Sequence, residues 1–176
     1  MRVIAGKLGG RTFDTPGGHR THPMSDKVRG GLFNSLGDIE GLTVLDAFAG
    51  SGALSYEAVS RGAIHATAIE SDRRAQAVII KNIETLGLKD NVQMVKAYCA
   101  SWSGRHQTLQ FDVLLMDPPY DNLQIADLEK LVRHLKPEGI MAVSWPGKLD
   151  RLELAKLEIV SQKNYGDAQL VFYKHK

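Results

Sequence analysis

The sequence predicts an α/β fold: a doubly wound, mostly parallel seven-stranded sheet with an antiparallel last strand, preceded by an N-terminal β-hairpin and helix. Three observations carry this. From Gly41 onward, short apolar runs alternate with segments of helical periodicity, the pattern of a parallel sheet covered on both faces. The first of these runs, residues 43–48, turns at Gly50-Ser51-Gly52 and opens a helical pattern through Leu54, Ala58 and Val59. At the other end, Tyr165-Gly166-Asp167-Ala168 joins the last two runs by a hairpin-like turn, which reverses the final strand.

Taken in order, residues 2–5 and 11–14 read as two short strands joined through Gly6 to Gly10. They bury too little to stand alone, so they pack on the body or order on a partner. Pro16, Gly17, Gly18 and Pro23 make the next stretch a loop. Ser25 or Asp26 then caps a helix over 27–36, with Val28, Leu32, Phe33 and Leu36 at helical spacing. Gly30-Gly31 inside it costs roughly 1 kcal/mol per glycine relative to Ala, so either the helix is weak there or something packs closely against it. Beyond it come a strand at 43–48 and a helix at 52–61, then a strand at 65–70 and a helix at 72–86. That helix is capped by Ser71-Asp72 and stopped by Gly87. Strands at 92–97 and 111–116, a helix at 124–135 and a strand at 139–144 complete the parallel part. A short helix at 149–155 follows Pro146-Gly147, before strands at 157–164 and 169–174. Residues 1–176 form one domain, with 1–24 as a basic appendage.

A chain of 176 residues is long enough to bury a full core, and with 43% hydrophobic residues but no apolar run near 18 it reads as soluble and globular. No apolar h-region follows Met1, so no secretory signal is expected. The single cysteine, Cys99, excludes an internal disulfide and fits a reducing cytoplasm, and no Cys/His cluster has zinc-ligand spacing, so no metal is expected. The net charge is only +2, yet residues 1–30 hold six basic and two acidic side chains, or +4. Such an end suits phosphate, although a solvated surface hairpin explains the charge equally well.

The chemistry concentrates at strand ends, where ligands of doubly wound sheets bind. Gly50 and Gly52 let backbone approach a nucleotide-like ligand at a helix N-terminus, a weak signal alone. Glu70 ends the second strand about 20 residues further on, where a carboxylate can accept from both hydroxyls of a ribose. Asp117-Pro118-Pro119-Tyr120 leaves the fourth strand as a rigid extended piece with free carbonyls, because proline fixes φ and lacks an N–H. Asp46, Glu70 and Asp117 thus converge on one rim. That arrangement suits methyl transfer to a planar exocyclic amine. Asp117 and the Pro118 carbonyl orient its N–H bonds and take up developing charge, while Tyr120 lies against the substrate ring.

The set VLDAFAGSGA, AIESD and DPPY resembles the class I S-adenosylmethionine-dependent methyltransferases, whose fold is Rossmann-like. Over nearly its full length, from RVIAGKLGGR through HPMSDKVRGGLFNSL to YGDAQLVFY, the chain is similar to the bacterial 16S rRNA (guanine-N2)-methyltransferases. The resemblance implies S-adenosyl-L-methionine as cofactor. Asp46, Ala47, Phe48, Gly50, Ser51 and Gly52 would lie around its methionine and ribose, Glu70 on the ribose hydroxyls, and Ser71, with backbone of Cys99 and Ala100, beside the adenine. It places a flipped guanine at Asp117, Pro118, Pro119 and Tyr120, and rRNA phosphates on Lys7, Arg11, His22, Lys27 and Arg29. The implied partner is 16S rRNA within an assembled or assembling small subunit, met by a cytoplasmic monomer. Three departures stand out. His22 replaces an Arg common before the Pro, Gly30-Gly31 replaces a Glu-Thr-like pair, and the segment 96–100 lacks the Asp or Asn often found near adenine N6. Two other readings are N-methylation of a protein glutamine or DNA adenine, and a non-catalytic RNA-binding assembly factor. Elsewhere, Cys99, Trp102 and Trp145 read as packing residues, His134 as a partial positive charge helping a helix end, and Tyr165 and Asp167 as turn residues able to line the substrate side.

Overall fold

The computed structural model describes residues 1–17 and 23–176. Strands β1 (Thr43–Asp46), β2 (His65–Glu70), β3 (Val92–Lys96), β4 (Phe111–Met116), β5 (Leu135–Pro146), β6 (Leu157–Tyr165) and β7 (Ala168–His175) form one sheet in the order β3-β2-β1-β4-β5-β7-β6. The chain starts in the middle, winds outward to β3, then crosses to β4 on the other side of β1. The switch point therefore lies between the carboxyl ends of β1 and β4, where this topology opens a crevice. Only β7 is antiparallel to its neighbours, β5 and β6, as the hairpin turn requires.

Alternating side chains divide the core into two layers. Val44, Val113, Leu115, Ala142 and Phe172 face α1 (Asp26–Leu36), α2 (Ala53–Ser60) and α3 (Arg73–Leu86). Leu45, Leu114, Met116, Met141, Val143 and Tyr173 face α4 (Cys99–Arg105) and α5 (Ile125–Leu131). Both faces being covered is why the central strands read as nearly unbroken apolar runs. Helix α3 shows the local rules. Asp72 accepts from the amides of Arg74 and Ala75 at 2.9 Å, Ala75, Ile79, Ile83 and Leu86 form its buried stripe, and Gly87 ends it at φ 71°.

The N-terminal segment is bound to the body through its backbone. Glu57, wholly buried on α2, accepts from the amides of Ile4 (2.7 Å) and Ala5 (3.1 Å) and from Arg61 Nε (2.7 Å). Ser60 receives the amide of Leu8 on its hydroxyl and that of Lys7 on its carbonyl. Gly6, at φ 79°, presses so close to the Ser60 carbonyl that no side chain fits. The two expected strands reduce to one bridge, Arg2 to Thr12, because residues 3–11 bend sharply between these anchors.

Several elements differ from the sequence reading. The first strand stops at Asp46. The expected helix over 124–135 ends at Leu131 in a 3-10 turn, and β5 begins at Leu135 with a register irregularity opposite β4. Helix α4, seven residues long, was not expected. No helix forms at 149–155. That stretch is irregular, with Leu152 and Leu154 buried, because Trp145 Nε1, Gln169 Nε2 and Tyr173 Oη capture the carbonyls of Asp150, Leu149 and Leu152 at 2.8–2.9 Å. Among the described residues no helix is long and apolar enough to cross a membrane.

Candidate active site

The carboxyl ends of β1, β2, β4 and β5 bring Asp46, Glu70, Asp117 and Ser144 to one rim, with the Gly50–Gly52 turn above it. Gly50 and Gly52 take φ 55° and 81°, a region that favours glycine. A Cβ on Gly52 would strike the phenol of Tyr56, whereas one on Gly50 would meet only the Phe48 carbonyl, at 4.0 Å. Half-buried backbone at Gly50 therefore stands uncrowded in front of the rim.

Asp46 has no exposed surface. Its Oδ2 accepts from Ser55 N at 3.1 Å and Ser55 Oγ at 2.7 Å, but its Oδ1 is buried with no partner among the described residues. Burial, with the charges of Asp117 and Glu70 nearby, pushes this carboxyl up to about 7. A buried carboxylate oxygen left without a donor is a place for a cation or an N–H. Glu70 is half-buried. Its Oε2 accepts from Gly50 N (2.8 Å) and its Oε1 from Asp72 N (2.7 Å). Two amides fix the carboxylate, and each oxygen keeps a lone pair for a hydroxyl.

Burial raises Asp117 to about 6, opposed in part by the polar hydroxyl of nearby Ser144. Pro118 is buried, and Pro119 and Tyr120 are exposed. Asn122 donates to the Pro119 carbonyl at 3.2 Å, closing a turn that leaves the Pro118 carbonyl outside it. Tyr120 Oη lies 2.7 Å from Ser144 Oγ, so the aromatic ring is tethered at its tip.

A family model described as Conserved hypothetical protein 95 matches residues 1–174. The chain belongs to that family. Ribosomal RNA small subunit methyltransferase D of Escherichia coli (strain K12) is 36% identical over 143 residues, spanning 81% of this chain and 70% of that protein. The Haemophilus influenzae protein of the same name is 32% identical over 149 residues, spanning 81% and 77%. The solved structure of yhhF from Escherichia coli matches with a TM-score of 0.88 at 30% identity, covering 100% of this chain and 98% of that one. The resemblance to class I methyltransferases read from the motifs is borne out, and the sheet has that fold.

Within this member of the family, the other expected positions fall as follows. Ala47 is buried and takes the Cys99 thiol on its carbonyl, and burial beside Glu70 and Asp46 pushes that thiol up to about 12. Cys99 is thus an inert wall residue. Phe48 and Ala100 are half-buried, Ser51 buried and Ser71 exposed. Of the basic set, Lys7 and Lys27 are exposed. Arg11 is exposed too, but its guanidinium donates to the carbonyls of Thr85 (2.9 Å) and Leu86 (3.2 Å), capping α3. Arg29 corrects the expectation. It has no exposed surface and donates to Arg2 O (2.7 Å), Met24 O (3.2 Å) and Asp26 Oδ1 (3.0 Å), so it holds the N-terminal segment and does not face RNA. His22 lies outside the described residues. His134 is another correction. It is buried between Leu109 O (2.6 Å) and Ser103 Oγ (2.8 Å), and burial lowers its basicity, so it carries no helix-end charge. Trp102 and Trp145 are buried, as packing residues should be. The phenol of Tyr165 sits against Gly31, where a Cβ would collide with it, which accounts for a glycine within α1. Sequence reasoning missed Ser55 and Ser144, single serines in elements that carry no motif.

Proposed function

We propose that this protein transfers a methyl group from S-adenosyl-L-methionine to the exocyclic N2 of a guanine in small-subunit rRNA. The observation that carries the reading is the placement of Asp117-Pro118-Pro119-Tyr120 at the end of β4 across the switch point from Asp46 Oδ1, which has no partner among the described residues. Relatives named for small-subunit rRNA methylation support the acceptor class.

The residues present fit the cofactor. Asp46 Oδ1 would accept from its cationic methionyl end, Glu70 from its ribose hydroxyls, and the open side of Gly50 admits its approach. When bound, S-adenosyl-L-methionine supplies an electrophilic sulfonium methyl. Asp117 and the Pro118 carbonyl accept the amine N–H bonds, aiming the nitrogen lone pair and stabilising the positive charge that develops on it. Once the new C–N bond has formed, the nitrogen proton is acidic. It leaves through Asp117, which is ionised above about 6. Tyr120 holds the base in plane. A guanine stacked in a helix cannot reach this segment, so the nucleotide must be extruded or unpaired. Lys7 and Lys27 supply phosphate contacts.

The test is transfer of labelled methyl to small-subunit particles lacking the modification, with naked 16S rRNA alongside and nucleoside analysis of the product. N2-methylguanosine is expected. Transfer to DNA adenine or protein glutamine in its place would overturn the acceptor, and absence of any transfer with cofactor bound would favour a non-catalytic RNA-binding role.

A further inference from the structure

Resting on that reading, we infer that Ser144 is a positioning residue for methyl transfer, its hydroxyl holding the Tyr120 ring in place beside Asp117. Register places it there. Met116 pairs with Val143 across parallel β4 and β5, so the next residues along, Asp117 and Ser144, are neighbours just past the ladder. Ser144 itself cannot drift, since β5 is held between β4 and β7, with Ser144 opposite Leu170, and it is only 3% exposed. Tyr120, by contrast, is 39% exposed on a turn. The 2.7 Å contact between its hydroxyl and Ser144 Oγ is what anchors its far end.

A serine hydroxyl can accept as well as donate, and either oxygen of the pair can supply the shared proton. Both arrangements engage the tyrosine hydroxyl at the sheet, leaving the ring, and not the hydroxyl, for the substrate. A single serine thus sets the plane in which the base lies beside Asp117.

The experiment compares Ser144→Ala, Ser144→Thr and Tyr120→Phe with the wild type on small-subunit particles. Ser144→Ala is expected to raise KM for the particle several-fold while leaving cofactor affinity unchanged. Ser144→Thr, which keeps the hydroxyl, restores KM. In a Tyr120→Phe background, removing Ser144 adds little further to KM. The Tyr120 ring is followed in parallel by carbon NMR of labelled tyrosine in the cofactor-free protein, which needs no substrate. A shifted or broadened Tyr120 signal in Ser144→Ala, restored in Ser144→Thr, supports the inference, and an unchanged signal or an unchanged KM overturns it. A wild type inert on every guanine acceptor would sink the functional reading alone, since the ring signal still decides what Ser144 does.

Discussion

Two carboxylates of this protein are wholly buried, eleven positions apart, and they do opposite things. Glu57 on α2 accepts on both oxygens, from two backbone amides of the N-terminal segment and from Arg61 Nε, and faces the Arg29 guanidinium at 3.9 Å, an ion pair beyond hydrogen-bond reach. Asp46 on β1 has one oxygen satisfied by Ser55 and the other by nothing among the described residues. The first is finished structure. The second is a buried charge waiting for a partner, and it lies on the rim where the sheet changes direction. Burial alone does not mark a functional acid. Incomplete hydrogen bonding at a strand end does.

Removing Glu57 should have the largest effect on stability. Glu57→Ala breaks the pair with Arg61, leaves Asp26 as the one carboxylate paired with buried Arg29 and strips the amides of residues 4 and 5 of their acceptor, a loss of roughly 3–5 kcal/mol by the usual cost of breaking a buried pair. Chemical denaturation would read it, and a loss under about 1 kcal/mol would erase the contrast.

Asp46→Asn should act in the other direction on the cofactor-free protein. The folded carboxyl titrates at about 7 against an ordinary 3.8. The folded state therefore holds its proton more tightly than the unfolded chain, and stability falls as pH rises from about 4 to 7. Asn removes that penalty, so the variant melts higher than wild type at pH 8. Wild-type affinity for the cationic cofactor should weaken about tenfold per pH unit below about 7, while Asp46→Asn binds weakly and loses this slope. Calorimetric titration at pH 6, 7 and 8 checks both.

Charge changes on the N-terminal face should have the smallest effect. Lys7→Ala with Lys27→Ala should leave melting and cofactor binding unchanged and flatten the salt dependence of RNA binding by roughly one to two units of slope. Arg29→Ala should destabilise the fold and release the N-terminal segment, which circular dichroism and limited proteolysis would separate from a phosphate contact.

How much of this was legible depends on whether a signal was local. The number and order of the parallel strands, the cap at Asp72 and the hairpin at Tyr165 to Ala168 are written in adjacent residues and hold, with the bounds of β1 and β5 shifted. Arg29 was legible and misread. It lies three, four and seven positions before Leu32, Phe33 and Leu36, on the apolar face of α1, so its burial follows from the same periodicity that defined the helix. Gly31 announced a close approach, but its partner, Tyr165, comes from the other end of the chain. The stretch after Gly147 reads as a helix in the sequence, yet carbonyls captured by the side chains of Trp145, Gln169 and Tyr173 keep it irregular. Helix α4 is too short for periodicity to reveal. At the rim, Asp46, Glu70 and Asp117 could be named from motif and strand end. The partnerless oxygen and the serine beneath Tyr120 needed coordinates, because both are properties of neighbouring strands.

The measurement that bears most directly on the division between Asp46 and Asp117 is single-turnover methyl transfer by Asp117→Ala beside its affinity for cofactor. The account predicts a fall in transfer of at least about 10²-fold, with cofactor affinity within a few-fold of wild type. Near-normal turnover, or a loss of cofactor binding equal to that of Asp46→Asn, would contradict it.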